Sequence, residues 1–178
     1  MTVVDIPREW KPLGTGEEEI DYCVYHLLAS GTTASVVLTF FTGTRAANGL
    51  AVTNMEQAGQ FPSATRFLVK EIQLLTDVNA AAGDSADVLD AAALELYVAN
   101  KLMYSAPAPV FATNVTPSYT TTATIGSAVN MIKFELDRGI VINGGTPFRA
   151  EMLIGKTAVS ASTDLTVLLR GHLIRPIS

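Results

Sequence analysis

The sequence predicts an all-β protein: an antiparallel sandwich of two sheets with about eight strands, in the jelly-roll arrangement. The clearest observation is the end of the chain, residues 163–175, where Leu165, Val167, Leu169 and Leu173 recur at a period of two. So long and apolar a strand is expected in the interior of a sheet, because an uncovered edge of this kind promotes aggregation. The predicted strands are also separated by loops of uneven length, which favours Greek-key connections over the short hairpins of an up-and-down barrel.

The chain length fits one domain preceded by a short arm. All 178 residues can share a single core. Residues 1–16 contain Pro7, Pro12, Gly14 and Gly16 and have no sustained period, which is compatible with an extended arm or with a disordered tail. We therefore assign residues 1–16 to an N-terminal arm and residues 17–178 to a single jelly-roll β-sandwich domain.

The first third of the domain predicts two strands that resemble a hairpin. Residues 19–28 and 34–41 both alternate and are rich in β-branched and aromatic residues, and Gly31 lies between them. Residues 42–64 then lose the alternation. Long loops without secondary structure usually have a role, so we expect this one to lie on the surface and to contact a neighbouring molecule.

The alternation changes parity in the strand predicted over residues 65–75. Phe67 and Val69 share one face, whereas Ile72 and Leu74 fall on the opposite parity. A β-bulge at Lys70-Glu71 would return all four side chains to the core. The alternative is a strand that is buried on both faces.

The middle of the chain gives less regular patterns. Residues 77–90 indicate a loop or a short helix, and residues 92–98 alternate as a strand although their alanines favour a helix. We predict a strand there, extended by residues 101–105. The prolines of residues 106–109 exclude a central position in a sheet, because proline donates no ladder hydrogen bond. Residues 113–127 are rich in threonine and predict an exposed strand or loop.

The last third contains the most regular strands. Residues 130–137 alternate with Ile132, Phe134 and Leu136 directed inward, and residues 140–142 form a further apolar segment. A tight turn is expected at 143–145. Residues 148–154 provide the next inward face, followed by the terminal strand.

Composition and charge exclude several classes of function. Only 16% of the residues are charged, against about 25% in an average soluble protein, and the mean hydropathy is +0.31. This composition indicates a protein that buries much of its surface against copies of itself or against partners. The net charge of −5 with no basic cluster argues against nucleic-acid binding. We expect no signal peptide and no membrane-spanning segment.

A catalytic group is not predicted. Nucleophilic catalysis requires a nucleophile, a base and an orienting acid that are brought together, and the chain has only two histidines, His26 and His172, and one cysteine, Cys23. Cys23 and His26 are three positions apart, so they point to opposite faces of a strand. We expect a buried Cys23 thiol, a half-exposed His26 and no enzymatic activity.

Metal and phosphate sites are not predicted either. Two histidines and one cysteine cannot form a zinc cage without carboxylates. Asp84, Asp87 and Asp90 lack the ligand spacing of a calcium loop, so we interpret them as part of a capped turn; a weak structural calcium site is the alternative. Gly155-Lys-Thr157 lacks the earlier glycine of a phosphate-binding loop, since position 150 is alanine. We expect no cofactor.

Several segments together resemble the single jelly-roll major capsid proteins of tailless icosahedral bacteriophages with an internal membrane. They are Val36-Val-Leu-Thr-Phe-Phe41, Thr53-Asn-Met55 running to Gln60-Phe-Pro62, Phe67-Leu-Val-Lys-Glu-Ile72, Gly145-Thr-Pro-Phe148 and the strand from Leu165 to Pro176. The resemblance extends over nearly the whole chain and contains no single diagnostic motif.

The resemblance implies a structural role. The expected function is a coat protein that is made in the host cytoplasm and self-assembles into capsomers of the virion shell. Its expected partners are copies of itself; a second coat protein and an underlying membrane are further partners that the resemblance allows. Two alternatives are a carbohydrate- or receptor-binding module of a viral spike and a phage decoration or tail-tube subunit.

Overall fold

The computed structural model describes residues 13–29, 36–76, 92–108, 130–133, 139–154 and 164–177. Within these ranges the chain forms β-strands and one helical turn. The elements in order are β1 (Glu17–Ala29), β2 (Val36–Phe40), α1 (Arg45–Asn48), β3 (Arg66–Thr76), β4 (Ala92–Val98), β5 (Lys101–Pro107), β6 (Asn130–Lys133), β7 (Ile140–Asn143), β8 (Phe148–Ile154) and β9 (Asp164–Pro176). No helix in the described part of the chain has the length and apolar character needed to cross a membrane.

The strands form two antiparallel sheets that pack as a jelly-roll sandwich. The first sheet has the order β1-β9-β3-β6, with β7 also paired to β3, and the second has the order β2-β8-β4-β5. Both β6 and β7 lie along the same side of β3, β6 on residues 71–74 and β7 on residues 66–69, so they occupy one strand position. The sandwich therefore has eight strand positions.

The pairing is nested from the two ends of the chain towards its middle. The first strand pairs with the last, β2 with β8, β3 with β6 and β7, and β4 with β5. A long antiparallel hairpin that is rolled into two sheets gives this pattern, which is the jelly roll. The predicted fold class is confirmed, as is the interior position of the terminal strand, because β9 lies between β1 and β3.

The core lies between the inner faces of the two sheets. Phe67, Leu169, Leu96 and Met152 are fully buried there, two from each sheet. Phe61 packs between Phe67 and Phe148, with ring centroids 5.1 and 5.3 Å apart, and so closes one end of the core. The inward residues predicted for β8 and β9 are all buried.

The bulge predicted in β3 is confirmed. Its register against β9 shifts between Val69 and Glu71, and the apolar residues on both sides of the shift are buried in the core. Residues Leu68 and Gln73 on the outer face are also buried, so the strand is covered on both faces around the bulge.

Two predicted connections are wrong. The β1–β2 unit is not a hairpin, because β1 pairs with β9 in the first sheet and β2 pairs with β8 in the second. Residues 101–105 do not extend β4; the chain turns at Ala99 and Asn100, both with positive φ, and returns as β5. In both cases the alternation of apolar and polar residues predicts the strand correctly. It carries no information on which other strand pairs with it.

The remaining predictions are met in part. Residues 92–98 form a strand rather than a helix, and the 42–64 region contains the short helix α1 instead of being entirely irregular. Residues 1–12, 77–90, 113–127, 134–137 and Gly155-Lys-Thr157 lie outside the described residues.

Candidate functional site

The two candidate nucleophile and base residues of β1 lie on opposite faces, as predicted, but their burial is the reverse of the expectation. His26 is 1% exposed and faces the core, whereas the Cys23 thiol is on the outer face and only partly covered. The reason is the parity of β1, whose inner face carries Val24 and His26. A Cys-His catalytic pair is therefore not formed by these two residues.

The side chain of His26 accepts a hydrogen bond from the start of the β2–β3 connection. The backbone N–H of Phe41 donates to Nδ1 of His26 at 2.9 Å, so this nitrogen must be unprotonated. Nε2 is buried and has no hydrogen-bond partner among the residues that the structure describes. Burial lowers the pKa of His26, because the charged imidazolium is poorly solvated in this position.

The β2–β3 loop (residues 41–65) lies against the free edge of β1. The N–H of Leu27 donates to the carbonyl of Val52 at 2.8 Å. The side chain of Asn54 forms two hydrogen bonds with the backbone of β1, in the place of a neighbouring strand. Its Oδ1 accepts from the N–H of Tyr25 at 3.1 Å, and its Nδ2 donates to the carbonyl of Cys23 at 2.7 Å. The loop therefore satisfies backbone groups that would otherwise leave an exposed sheet edge. Its role against β1 was not predicted, and the only sequence signal is the asparagine itself.

The outer face of the first sheet carries charged pairs across the strands. Arg66 donates to Glu17 at 2.9 Å, and Arg170 lies 3.7 Å from Glu71. A third pair, in which Arg175 donates to Glu18 at 2.7 Å, lies at the end of the inner face, because these two residues share the parity of Leu173 and Ile20. The carboxylates of Glu17 and Glu18 therefore both bind arginines, although both side chains stay partly exposed.

His172 lies on the same outer face. Its Nδ1 is 3.4 Å from a carboxylate oxygen of Glu19 and 3.2 Å from one of Asp21. Asp21 is its direct neighbour in the β1–β9 register. His172 is therefore a partly exposed surface histidine, which distinguishes it from the buried His26.

The outer face of the second sheet presents an uncharged strip that we call the apolar row. It consists of Val37, Leu153, Ala93 and Pro107, which are successive Cα partners across β2, β8, β4 and β5. Val37 is 50% exposed and Leu153 is 48% exposed. The row is about 14 Å wide, because neighbouring strands lie about 4.8 Å apart.

The next positions along this face are polar and bind one another. Arg149 donates to Glu151 and lies over the ring of Tyr97, 4.4 Å from its centroid. The Tyr97 hydroxyl donates to Glu95 at 2.5 Å, and this hydrogen bond is the main cause of its raised pKa. These groups satisfy each other, whereas the apolar row has no described partner.

A cleft of about 120 Å³ opens where the β2–β3 loop meets the end of the first sheet. Val24, Met55, Phe61 and Leu173 contribute apolar lining, and Tyr22, Asn54, Glu56, Gln60 and Arg175 contribute polar groups. Burial raises the pKa of the Tyr22 hydroxyl, and the Glu56 carboxylate raises it further. A cleft of this volume holds a few water molecules or one small side chain.

A metal centre is not formed by the part of the chain that the structure describes, where no three His, Cys, Asp or Glu side chains come together. Asp84, Asp87 and Asp90 lie outside that part. No protein-family model matches the sequence, and a search of curated proteins finds no significant match.

Proposed function

We propose that this protein is a viral coat protein whose copies assemble into capsomers of an icosahedral phage shell. The observation that carries the proposal is the apolar row on the outer face of the second sheet. In a sheet that faces water, outward positions are normally polar. Here two large aliphatic side chains, Val37 and Leu153, lie side by side and each is about half exposed.

Burial of this row would give a favourable contact between copies. Each aliphatic side chain taken from half to full burial contributes about 1 kcal/mol, since full burial contributes roughly 1.5–3 kcal/mol. A stable interface of about 800 Å² on each partner needs further residues, which the adjoining polar positions at the rim can supply. The jelly-roll order and the low charge of the chain support the same proposal.

The proposed partners are therefore further copies of this chain, with a second coat protein and an underlying membrane as additional possibilities. The proposed location is the virion. Carbohydrate binding is less well supported, because sugar-binding sites use exposed aromatic faces. The Tyr97 ring on the outer sheet is covered by Arg149, and the Tyr25 hydroxyl donates to the Leu50 carbonyl.

The test is to place a charge in the apolar row. Leu153→Glu should abolish large assemblies, because assembly would bury an unpaired carboxylate. Ile177→Glu is the control, since Ile177 is 61% exposed and lies outside the row. Assembly is measured by light scattering and electron microscopy over a series of salt and protein concentrations, and the folded state of each variant by circular dichroism.

The proposal predicts shells, sheets or discrete oligomers for the unmodified protein and for Ile177→Glu, and only small species for Leu153→Glu. If a folded Leu153→Glu protein assembles as the unmodified protein does, the apolar row is not part of the interface between copies. A protein that stays monomeric under every condition would refute self-assembly.

A further inference from the structure

We infer that protonation of His26 releases the β2–β3 loop from the edge of β1, so that this loop is a pH-dependent element of the subunit. The inference concerns one subunit and does not depend on the coat-protein proposal. It rests on the position of His26 between β1 and the start of the loop, and on the direction of its hydrogen bond.

The bond between His26 and the loop exists only with a neutral imidazole. Nδ1 of His26 accepts from the N–H of Phe41, the first residue of the loop. A proton on Nδ1 would turn this nitrogen into a donor that faces another donor. The bond would be lost, and a charge would appear on a side chain that is only 1% exposed.

The second imidazole nitrogen has no described partner that could compensate the charge. Nε2 of His26 is buried without a hydrogen bond. It lies beside Gly43 and Asn48: a Cβ added at Gly43 would be 3.1 Å from Nε2 and 2.7 Å from Nδ2 of Asn48. Both ends of the imidazole are therefore in contact with the β2–β3 loop.

The described residues that face His26 supply no opposite charge. They are Phe40 of β2 and Phe41 of the loop, with ring centroids 6.3 and 6.2 Å from the imidazole, Gly43, Asn48 of α1, Thr53, which forms a β-bridge with His26, and Val167, its register partner on β9. Arg45, the charged residue of α1, is exposed. Burial is accordingly the sole cause of the lowered pKa of His26.

Release of the loop offers the protonated imidazole a route to water without unfolding of the sandwich. The loop is attached to β1 by local bonds: the N–H of Leu27 donates to Val52, Asn54 bonds to Tyr25 and Cys23, the Thr53 hydroxyl donates to the Tyr25 carbonyl, and the Tyr25 hydroxyl donates to the Leu50 carbonyl. The ladder between β1 and β9 runs along the other edge of β1 and extends over its whole length. Local opening is therefore possible while the first sheet stays paired.

The sign of the pH dependence follows from the lowered pKa in the closed state. Once the loop opens, His26 regains an ordinary pKa of about 6.5. The open state then binds a proton more readily, so opening becomes more favourable as the pH falls below about 6.5, until the closed state is protonated as well. Between pH 7.5 and pH 5.5 the opening equilibrium should increase by up to about tenfold.

The experiment is amide hydrogen exchange by NMR between pH 7.5 and pH 5.5, corrected for the intrinsic exchange rates. The reporting amides are Phe41, Leu27 and Arg45, which bond to His26, Val52 and Met55. The control amide is that of Ala99, which lies in the turn between β4 and β5 and donates to the carbonyl of Pro147. Long-range ¹⁵N spectra of the imidazole give its protonation state and tautomer in the same samples.

Two variants separate His26 from the second histidine of the chain. In His26→Asn the side-chain oxygen can take the acceptor position of Nδ1 but does not titrate, so the pH dependence should disappear. In His172→Asn, where the exposed histidine is removed, it should persist. If His26→Asn fails to fold, the comparison of the reporting amides with Ala99 in the unmodified and His172→Asn proteins provides the test.

The expected result is a loss of protection at the three reporting amides of about fivefold to tenfold, with Ala99 changed by less than about twofold. The spectra should show a neutral His26 at pH 7.5 with the proton on Nε2. An equal loss of protection at Ala99 would mean general destabilisation and would overturn the inference. So would reporting amides that do not respond to pH, or a response that persists in His26→Asn.

Discussion

Gly171 allows the two central strands of the first sheet to approach each other at the bulge, and its replacement by alanine should be strongly destabilising. Gly171 of β9 pairs with Val69, at the point where the register of β3 shifts around Lys70. A Cβ at this position would overlap the carbonyl oxygen of Leu68, and it would lie 2.9 Å from the Leu68 carbonyl carbon and 3.0 Å from the Lys70 nitrogen. All three atoms belong to the backbone, so no side-chain rotation can relieve the contact.

The cost of Gly171→Ala has two parts. Forcing an extra carbon into a packed interior costs about 1–3 kcal/mol. To make room, β3 must move away from β9, and each ladder hydrogen bond lost adds about 0.5–1.5 kcal/mol. With two bonds lost, the free energy of unfolding should fall by about 2–6 kcal/mol, a large fraction of the roughly 5–15 kcal/mol typical of a folded domain.

The assay is equilibrium urea denaturation followed by circular dichroism, with Gly145→Ala as the matched control. Gly145 also has no side chain, but a Cβ there would meet no atom within 4 Å. Its φ of +73° makes alanine costly by about 1–2 kcal/mol through the backbone alone. A Gly171→Ala protein that is no less stable than Gly145→Ala would refute the close-approach explanation.

Two further predictions concern the bulge and the edge of β1. Deletion of Lys70 should prevent folding, because it removes the bulge and directs either Phe67 and Val69 or the residues after the bulge away from the core. Soluble expression and the dispersion of NMR signals measure whether the deletion protein folds. A well-folded deletion protein would contradict this prediction. Asn54→Ala should lower the free energy of unfolding by about 1–3 kcal/mol, since two hydrogen bonds to the edge of β1 are lost. Urea denaturation checks the value, and a change below about 0.5 kcal/mol would mean that water replaces the asparagine at this edge.

The faces of individual strands could be predicted from the sequence because alternation is a local property. The inward residues of β8 and β9 follow directly from the period of two. The change of parity between Val69 and Ile72 predicts the bulge in the same way, since a strand can keep both on one face only by adding a residue.

The candidate surfaces could not be predicted in this way, because they depend on pairing between distant parts of the chain. Val37, Leu153, Ala93 and Pro107 come from four strands, and they form a row only through the register of the second sheet. Charged partners were missed for the same reason, for example Arg66, which binds Glu17 across the first sheet.

The sequence by itself therefore determined which segments of this protein are strands and, for the most regular ones, which side chains face inward. The tertiary structure alone decided that β1 and β2 belong to different sheets, and that His26 is buried while Cys23 is partly exposed. The physical reason is that alternation sorts side chains into two faces without indicating what covers each face. That information comes from residues far along the chain, such as Phe41 and Val167 at His26, which folding brings together.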